Sequence, residues 1–351
     1  MPMVMEKQEV LAELIAQELK PYVKKIDQDA FYAESFLRKL GESGLLSSGG
    51  RPQAEVLADG LFFVGETAKT CMTTAFCLWC HLAALTYVRT TKNEKLKADL
   101  LTSLEDGTLL GATGLSNPMK HYAGLESLHL TAKRTDGGYL VSGVLPSVSN
   151  LGKDHYFGAI AGLNETGQIM IFVSCNSPGL KFKEKTDYLG LNGSATYSCT
   201  FKEVFISDDR VLSEDANAFV AEVRPTFIAY QIPLGFGVTN ASVHSIEKMA
   251  NRQNGCNQYL RVQSPELQLR EEALRQKLLS LILEESLNWK EIAKVRLAAA
   301  YLTLEAVQAA MLHNGSAAYL QASAPARRLR EAYFFANLTP TIKHLEKVLS
   351  L

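Results

Sequence analysis

Net charge, long apolar runs and nucleotide- or metal-binding signatures are all scarce in this 351-residue chain, and each scarcity excludes something. The 36 Lys and Arg residues nearly cancel the 37 Asp and Glu, so no overall field draws the protein to nucleic acid or an anionic membrane. A small molecule is the expected partner. The longest apolar run, AFCLWCHLAALTYV at residues 75–88, contains a histidine and falls short of the ~20 residues a bilayer span needs. No membrane crossing is expected. The N-terminal MPMVMEKQEVLAELIAQELK alternates charged and apolar residues, unlike a secretory signal, so the expected location is the cytoplasm. Six scattered cysteines then fit reduced thiols better than a disulfide framework. Neither a G-x-G-x-x-G between strand and helix nor a G-x-x-x-x-G-K-[ST] occurs, which removes the usual glycine-rich phosphate loops. His121, His129, His155, His244, His313 and His344 lack ligand spacing, and no metal centre is expected.

What is present is a 47% hydrophobic composition, enough for a sizeable core, over a length that suggests two or three domains. From residue 4 to about 106 the apolar positions recur at helical spacing, as in Phe36, Leu37 and Leu40 and again through the long stretch from Gln53 to Thr90. Near residue 108 the pattern changes. SLHLTAKR, TDGG and YLVSGVL read as strand, turn and strand; HYFGAIAGL, NETG and QIMIFVSC repeat the plan, and LKFKEK and ATYSCTFKEVFI add further strands. After DDRVL the helical period returns and holds to the end. The expected fold class is α+β: a helical domain at 1–107, an antiparallel β domain at 108–213 and a four-helix bundle at 214–351.

CLWCH, residues 77–81, carries the Cys-x-x-Cys-His of a c-type haem attachment site. It lies in mid-helix among Ala75, Phe76, Leu82 and Ala83, whereas a redox cysteine pair needs the exposed start of a helix to lower a thiol pKa. Haem attachment would need export, and zinc would need a second ligand pair. Cys77 and Cys80 are expected to be small core hydrophobes.

The order of helical, β and helical parts carries four further segments: GLSNP at 114–118, YLVSGVLPSVSNLGKDHYF at 139–157, LGLNGSATYSCTFKEVFISDDRVL at 189–212 and GSAAYLQASAPARRLREAYFFANLTPT at 315–341. Together these resemble the acyl-CoA dehydrogenase superfamily of flavoproteins. The resemblance implies FAD, with FMN as the alternative, bound between the β domain and the bundle. Ser116 takes the place of a family threonine that touches the isoalloxazine, Ser149 and Asn150 fall on a Thr–Asn pair, and Ser147 replaces an aromatic residue beside the flavin. The substrate implied is an acyl thioester such as acyl-CoA. Association into a homodimer or homotetramer, and an electron-transfer partner or flavin reductase, follow from the same resemblance.

The chain departs from the family at the catalytic position. The residue in place of the glutamate that removes the substrate α-proton is Thr339, and a hydroxyl cannot do this at neutral pH without activation. Thr341, two residues on, keeps the hydroxyl of the family's flavin-contacting threonine. Some relatives place the base on the first bundle helix, where the aligned position falls near Pro225; Glu222, one turn earlier, is a candidate base or a solvated acid near a helix start. Monooxygenase relatives share a proline at the place of Pro340 but carry histidines where this chain has Phe335 and Leu338. His344 reads as an exposed helix residue. Arg261, in RVQSP, stands nearest the family arginine that meets the cofactor pyrophosphate across a subunit interface, or is a surface charge. A dehydrogenase, a flavin-dependent monooxygenase and a non-catalytic binding or assembly protein all stay open.

Overall fold

The computed structural model describes residues 2–163 and 167–350. Asn164, Glu165 and Thr166 of the expected NETG turn lie outside the described residues. The first part is helical, with α1 (Pro2–Leu14), α2 (Val23–Gln28), α3 (Glu34–Glu42), α4 (Gln53–Thr70), α5 (Met72–Thr90) and α6 (Glu94–Glu105). The 53–90 stretch is two helices. Cys71 is extended, at φ −154° and ψ 108°, in a segment where Thr70, Thr73 and Thr74 are poor helix formers. From Met72 through Val88 every residue of α5 is buried, as expected of a helix apolar on all sides.

The middle part is an eight-stranded sheet: β1 (Gly111–Thr113), β2 (Leu130–Thr135), β3 (Gly138–Val148), β4 (Tyr156–Leu163), β5 (Gly167–Ser174), β6 (Leu180–Glu184), β7 (Tyr197–Ser207) and β8 (Val211–Ser213), ordered β6-β7-β3-β2-β4-β5-β8. It is mostly antiparallel, with Ala159 of β4 facing Ile171 of β5. This matches the expected antiparallel domain, with two parallel pairings added, since β1 and β2 both run parallel to β4. Parallel neighbours need a crossover. For β1 it is supplied by α7 (Ser116–Tyr122) and the β2–β3 hairpin.

The last part holds α8 (Ala216–Ala229), α9 (Ile232–Met249), α10 (Ser264–Ile282), α11 (Trp289–Asn314), α12 (Ala324–Asn337) and α13 (Ile342–Leu349). Helices α9 to α12 pack together as the bundle, α8 lies along α11, and α9 also packs on α4. By length and composition α11 could span a bilayer, yet it carries the fully buried Arg296 and packs within the bundle.

The sheet meets the helical part where β1 crosses α5. A Cβ added to Gly111 would stand 2.3 Å from the Ala84 Cβ, so strand and helix touch backbone to side chain with no room for a methyl group. Gly111→Ala is expected to cost about 1–3 kcal/mol, measured as a lower denaturation midpoint with an unchanged slope.

Candidate functional site

CLWCH sits inside this junction. Cys77 and Cys80 are both 1% exposed, and burial pushes both thiols well above the ordinary range. Neither can supply a thiolate near neutral pH. The Gly111 N–H donates to His81 Nδ1 at 2.9 Å, which leaves His81 Nε2 as the protonated nitrogen, donating to the Leu104 carbonyl at 3.0 Å. His81 therefore ties α5 to α6 and β1 as a neutral imidazole. Burial pushes its pKa down to about 3, against ~6.5 in an unfolded chain. Between those values only the unfolded state takes the proton, so stability falls as pH drops through that window, by up to ~1.4 kcal/mol per pH unit. His81→Gln is expected to lower stability near neutrality and to flatten this slope, as read by chemical denaturation at about pH 4 to 7.

A cleft of ≈ 140 Å³ opens between α5, the β domain, α8 and the C-terminal end of α12. Its apolar wall is a run of touching rings. Phe334 meets Phe76 edge-on at 4.8 Å, Phe76 stacks on Trp79 at 5.5 Å, and Trp79 meets Phe227 edge-on at 4.9 Å. The Trp79 indole N–H donates to the Phe227 carbonyl at 3.1 Å, which fixes the ring plane. The rest of the lining is neutral and largely hydroxylic. Ser116 Oγ lies 3.1 Å from Thr339 Oγ1, Ser149 Oγ 2.7 Å from Thr196 Oγ1, and Thr113 Oγ1 2.7 Å from the Tyr87 hydroxyl. Among the described residues, no carboxylate, lysine, arginine or histidine lines the cleft.

Behind Thr339 runs a buried polar chain. Gln231 Nε2 donates to the Thr339 carbonyl at 2.9 Å, and Arg296 donates through Nε to Gln231 Oε1 at 3.1 Å and through Nη2 to the Phe335 carbonyl at 2.7 Å. The Arg296 guanidinium also lies 3.6 Å over the Phe335 ring.

Of the residues singled out by sequence, Ser116, Ser147, Ser149 and Thr339 come together in this cleft. Ser147, in place of an aromatic residue, has its hydroxyl 3.3 Å from that of Tyr188. Thr341 is not among the lining residues; its hydroxyl caps α13 by accepting the His344 N–H at 3.2 Å. Glu222 is exposed and faces a different groove, beside Arg51, Arg89 and Tyr230. It stands five positions before the lining residue Phe227, roughly 140° away around α8. Arg261 is exposed on the connection before α10, outside the cleft lining. His344, expected to be exposed, is 6% exposed, because α13 turns the face carrying His344 and Leu345 inward.

Sequence reasoning missed the aromatic wall, Gln231 and Arg296. The wall is drawn from three helices far apart in the chain and reads locally as core. Arg296 had one available signal, a lone charge in the apolar stretch VRLAAAYL.

These residues suit the ring of a flavin. A lining that combines neutral hydroxyls with aromatic surface matches a flat heterocycle with polar edges. They do not provide for its phosphates, since no cation is among the described residues that line the cleft.

No family model matches the chain. By sequence it is 26% identical over 231 residues to the probable acyl-CoA dehydrogenase YngJ of Bacillus subtilis, a stretch spanning 60% of this chain and 58% of that protein. It is 22% identical over 254 residues to benzylmalonyl-CoA dehydrogenase of Aromatoleum aromaticum, spanning 69% of this chain and 67% of that one. Butyryl-CoA dehydrogenase from Megasphaera elsdenii shares the fold with a TM-score of 0.87 at 17% identity, covering 98% of this chain and 97% of that structure. KijD3, solved with FMN and dTDP-3-amino-2,3,6-trideoxy-4-keto-3-methyl-D-glucose, shares it with a TM-score of 0.78 at 20% identity, covering 98% and 93%. The chain thus shares the acyl-CoA dehydrogenase fold over nearly its whole length and is similar in sequence, at 26% and 22% identity, to two dehydrogenases of that superfamily.

Proposed function

We propose that the protein is a flavin-dependent oxidoreductase whose isoalloxazine seats in the cleft between the β domain and the bundle. The observation that carries this is the meeting of Ser116, Ser149 and Thr339, from distant parts of the chain, around one neutral cleft with an aromatic wall. When bound, the flavin supplies the two-electron chemistry. The chain's own part is to hold and orient. Ser116 and Ser149 present hydroxyls to the ring edge, and the Phe76–Trp79–Phe227–Phe334 wall excludes water and takes the apolar end of a substrate. The cofactor is FAD, with FMN as the alternative. Its phosphates would find Arg261 only from a second copy of the chain. A homodimer or homotetramer is supported by exposed apolar side chains on the bundle, including Leu269, Leu283, Leu312 and Tyr319, each at least 67% exposed.

The substrate is an acyl thioester or a similar small molecule oxidised across a CH–CH bond, with an electron-transfer protein as acceptor, in the cytoplasm. One observation favours a second reading. Without a carboxylate among the described residues of the lining, nothing there removes an α-proton readily, which suits a monooxygenase of the same fold fed by a flavin reductase. The test is cofactor release from purified protein or titration with FAD and FMN, then anaerobic bleaching by butyryl-CoA set against reductase-dependent oxygen uptake. Flavin near one per chain and bleaching by thioester support the first reading; oxygen uptake indifferent to thioester supports the second. A protein that takes up neither flavin overturns both and leaves a non-catalytic binding or assembly role.

A further inference from the structure

Arg296 is a guanidinium in the wrong place for a structural role alone. It is 0% exposed, no carboxylate pairs with it among the described residues, and its Nη1 has no hydrogen-bond partner. A buried charge left unneutralised is costly, and neutral apolar residues of similar size would fill the volume without that cost. The two bonds it does make both lead to the segment that forms one wall of the cleft. The Phe335 carbonyl is one turn before Thr339, and Gln231 relays the other bond to the Thr339 carbonyl. Arg296 polarises the Gln231 amide, which makes its N–H the stronger donor to Thr339.

We propose that Arg296 is a positioning residue that fixes the 335–339 segment and sets a positive potential behind the cleft, so that the flavin bound there is held more tightly when its ring is reduced and anionic. This rests on the flavin reading of the cleft given above. A ring that takes two electrons and one proton gains a negative charge, and a cation roughly 10 Å away at an effective dielectric of about 20 favours that state about tenfold. Tenfold in the ratio of reduced to oxidised affinity is about 30 mV for a two-electron couple.

The full-length protein reconstituted with FAD is titrated with dithionite against a reference dye, and the midpoint potential is read for the wild type, Arg296→Gln, Arg296→Lys and Gln231→Glu. Arg296→Gln removes the charge and keeps a donor for the Phe335 carbonyl. Its potential is expected to fall by the amount just given, while Arg296→Lys stays near the wild type. If Arg296→Gln does not fold, Gln231→Glu decides. It sets a carboxylate against the guanidinium, so the pair forms and the potential falls although the arginine is intact. Potentials unchanged in the neutralising variants, with flavin still bound, overturn the inference and leave the flavin reading standing. A wild-type protein that binds no flavin overturns both.

Discussion

Thr339→Glu is expected to raise the rate at which a short-chain acyl-CoA reduces the bound flavin anaerobically by ~10²–10⁴, the range a positioned general base supplies. Thr339 is 7% exposed, its hydroxyl lies against Ser116, and its carbonyl is held by Gln231. A carboxylate at this position would therefore start from a fixed backbone, in a cleft lined by hydroxyls and aromatic rings. That setting raises its pKa through desolvation while Ser116 offers it a hydrogen bond. A group poised between acid and base is what α-proton removal requires. The measurement is stopped-flow bleaching with butyryl-CoA. An increase shows that the cleft already aligns a thioester and lacks only its base. No increase, with flavin bound and the variant as stable as the wild type, shows that thioesters do not reach this position, and the monooxygenase reading gains.

The parts of this arrangement that could be read in the sequence are those written in local runs. The buried α5 announces itself by an apolar stretch, and the β2–β3 hairpin by TDGG between alternating strands. The parallel placement of β1 and β2 against β4 was not legible, because pairing between strands separated by a crossover is set by how α7 and the β2–β3 hairpin pack and leaves no local period. The site divides the same way. Ser116, Ser149 and Thr339 fall in segments with family-like spacing, so their convergence was foreseeable. Phe76, Trp79, Phe227 and Phe334 meet only because α5, α8 and α12 converge, and in sequence each is one more apolar residue on a helix. Glu222 illustrates the converse. It is the right residue type on the right helix, but about 140° of rotation separates it from Phe227, and a helix face cannot be assigned when the period is blurred by apolar residues on several sides. Thr341 is spent on a helix cap, a local use of a hydroxyl that competes with any ligand contact.

Trp79→Ala tests the aromatic wall, with the second large effect. Trp79 is 3% exposed, sits between Phe76 and Phe227, and ties α5 to α8 by its indole hydrogen bond. Removing it deletes the largest ring of the run and the donor for the Phe227 carbonyl, and the expected loss of stability is about 3–5 kcal/mol by denaturant unfolding. The same deletion enlarges the cleft, so the apolar end of a substrate held against the wall beside the flavin gains room. The wild type is thus suited to a short or flat apolar group, and the variant to a bulkier one. Phe76 and Phe334 can fill the gap only by leaving their edge-on contact, so the enlargement should persist. Binding of a chain-length series of acyl-CoA analogues, followed by flavin absorbance, is expected to peak at short chains in the wild type and to shift toward longer ones in the variant. A preference unmoved by the substitution, in a variant that remains folded, would mean that the rings serve as core between α5, α8 and α12 and that the substrate enters elsewhere.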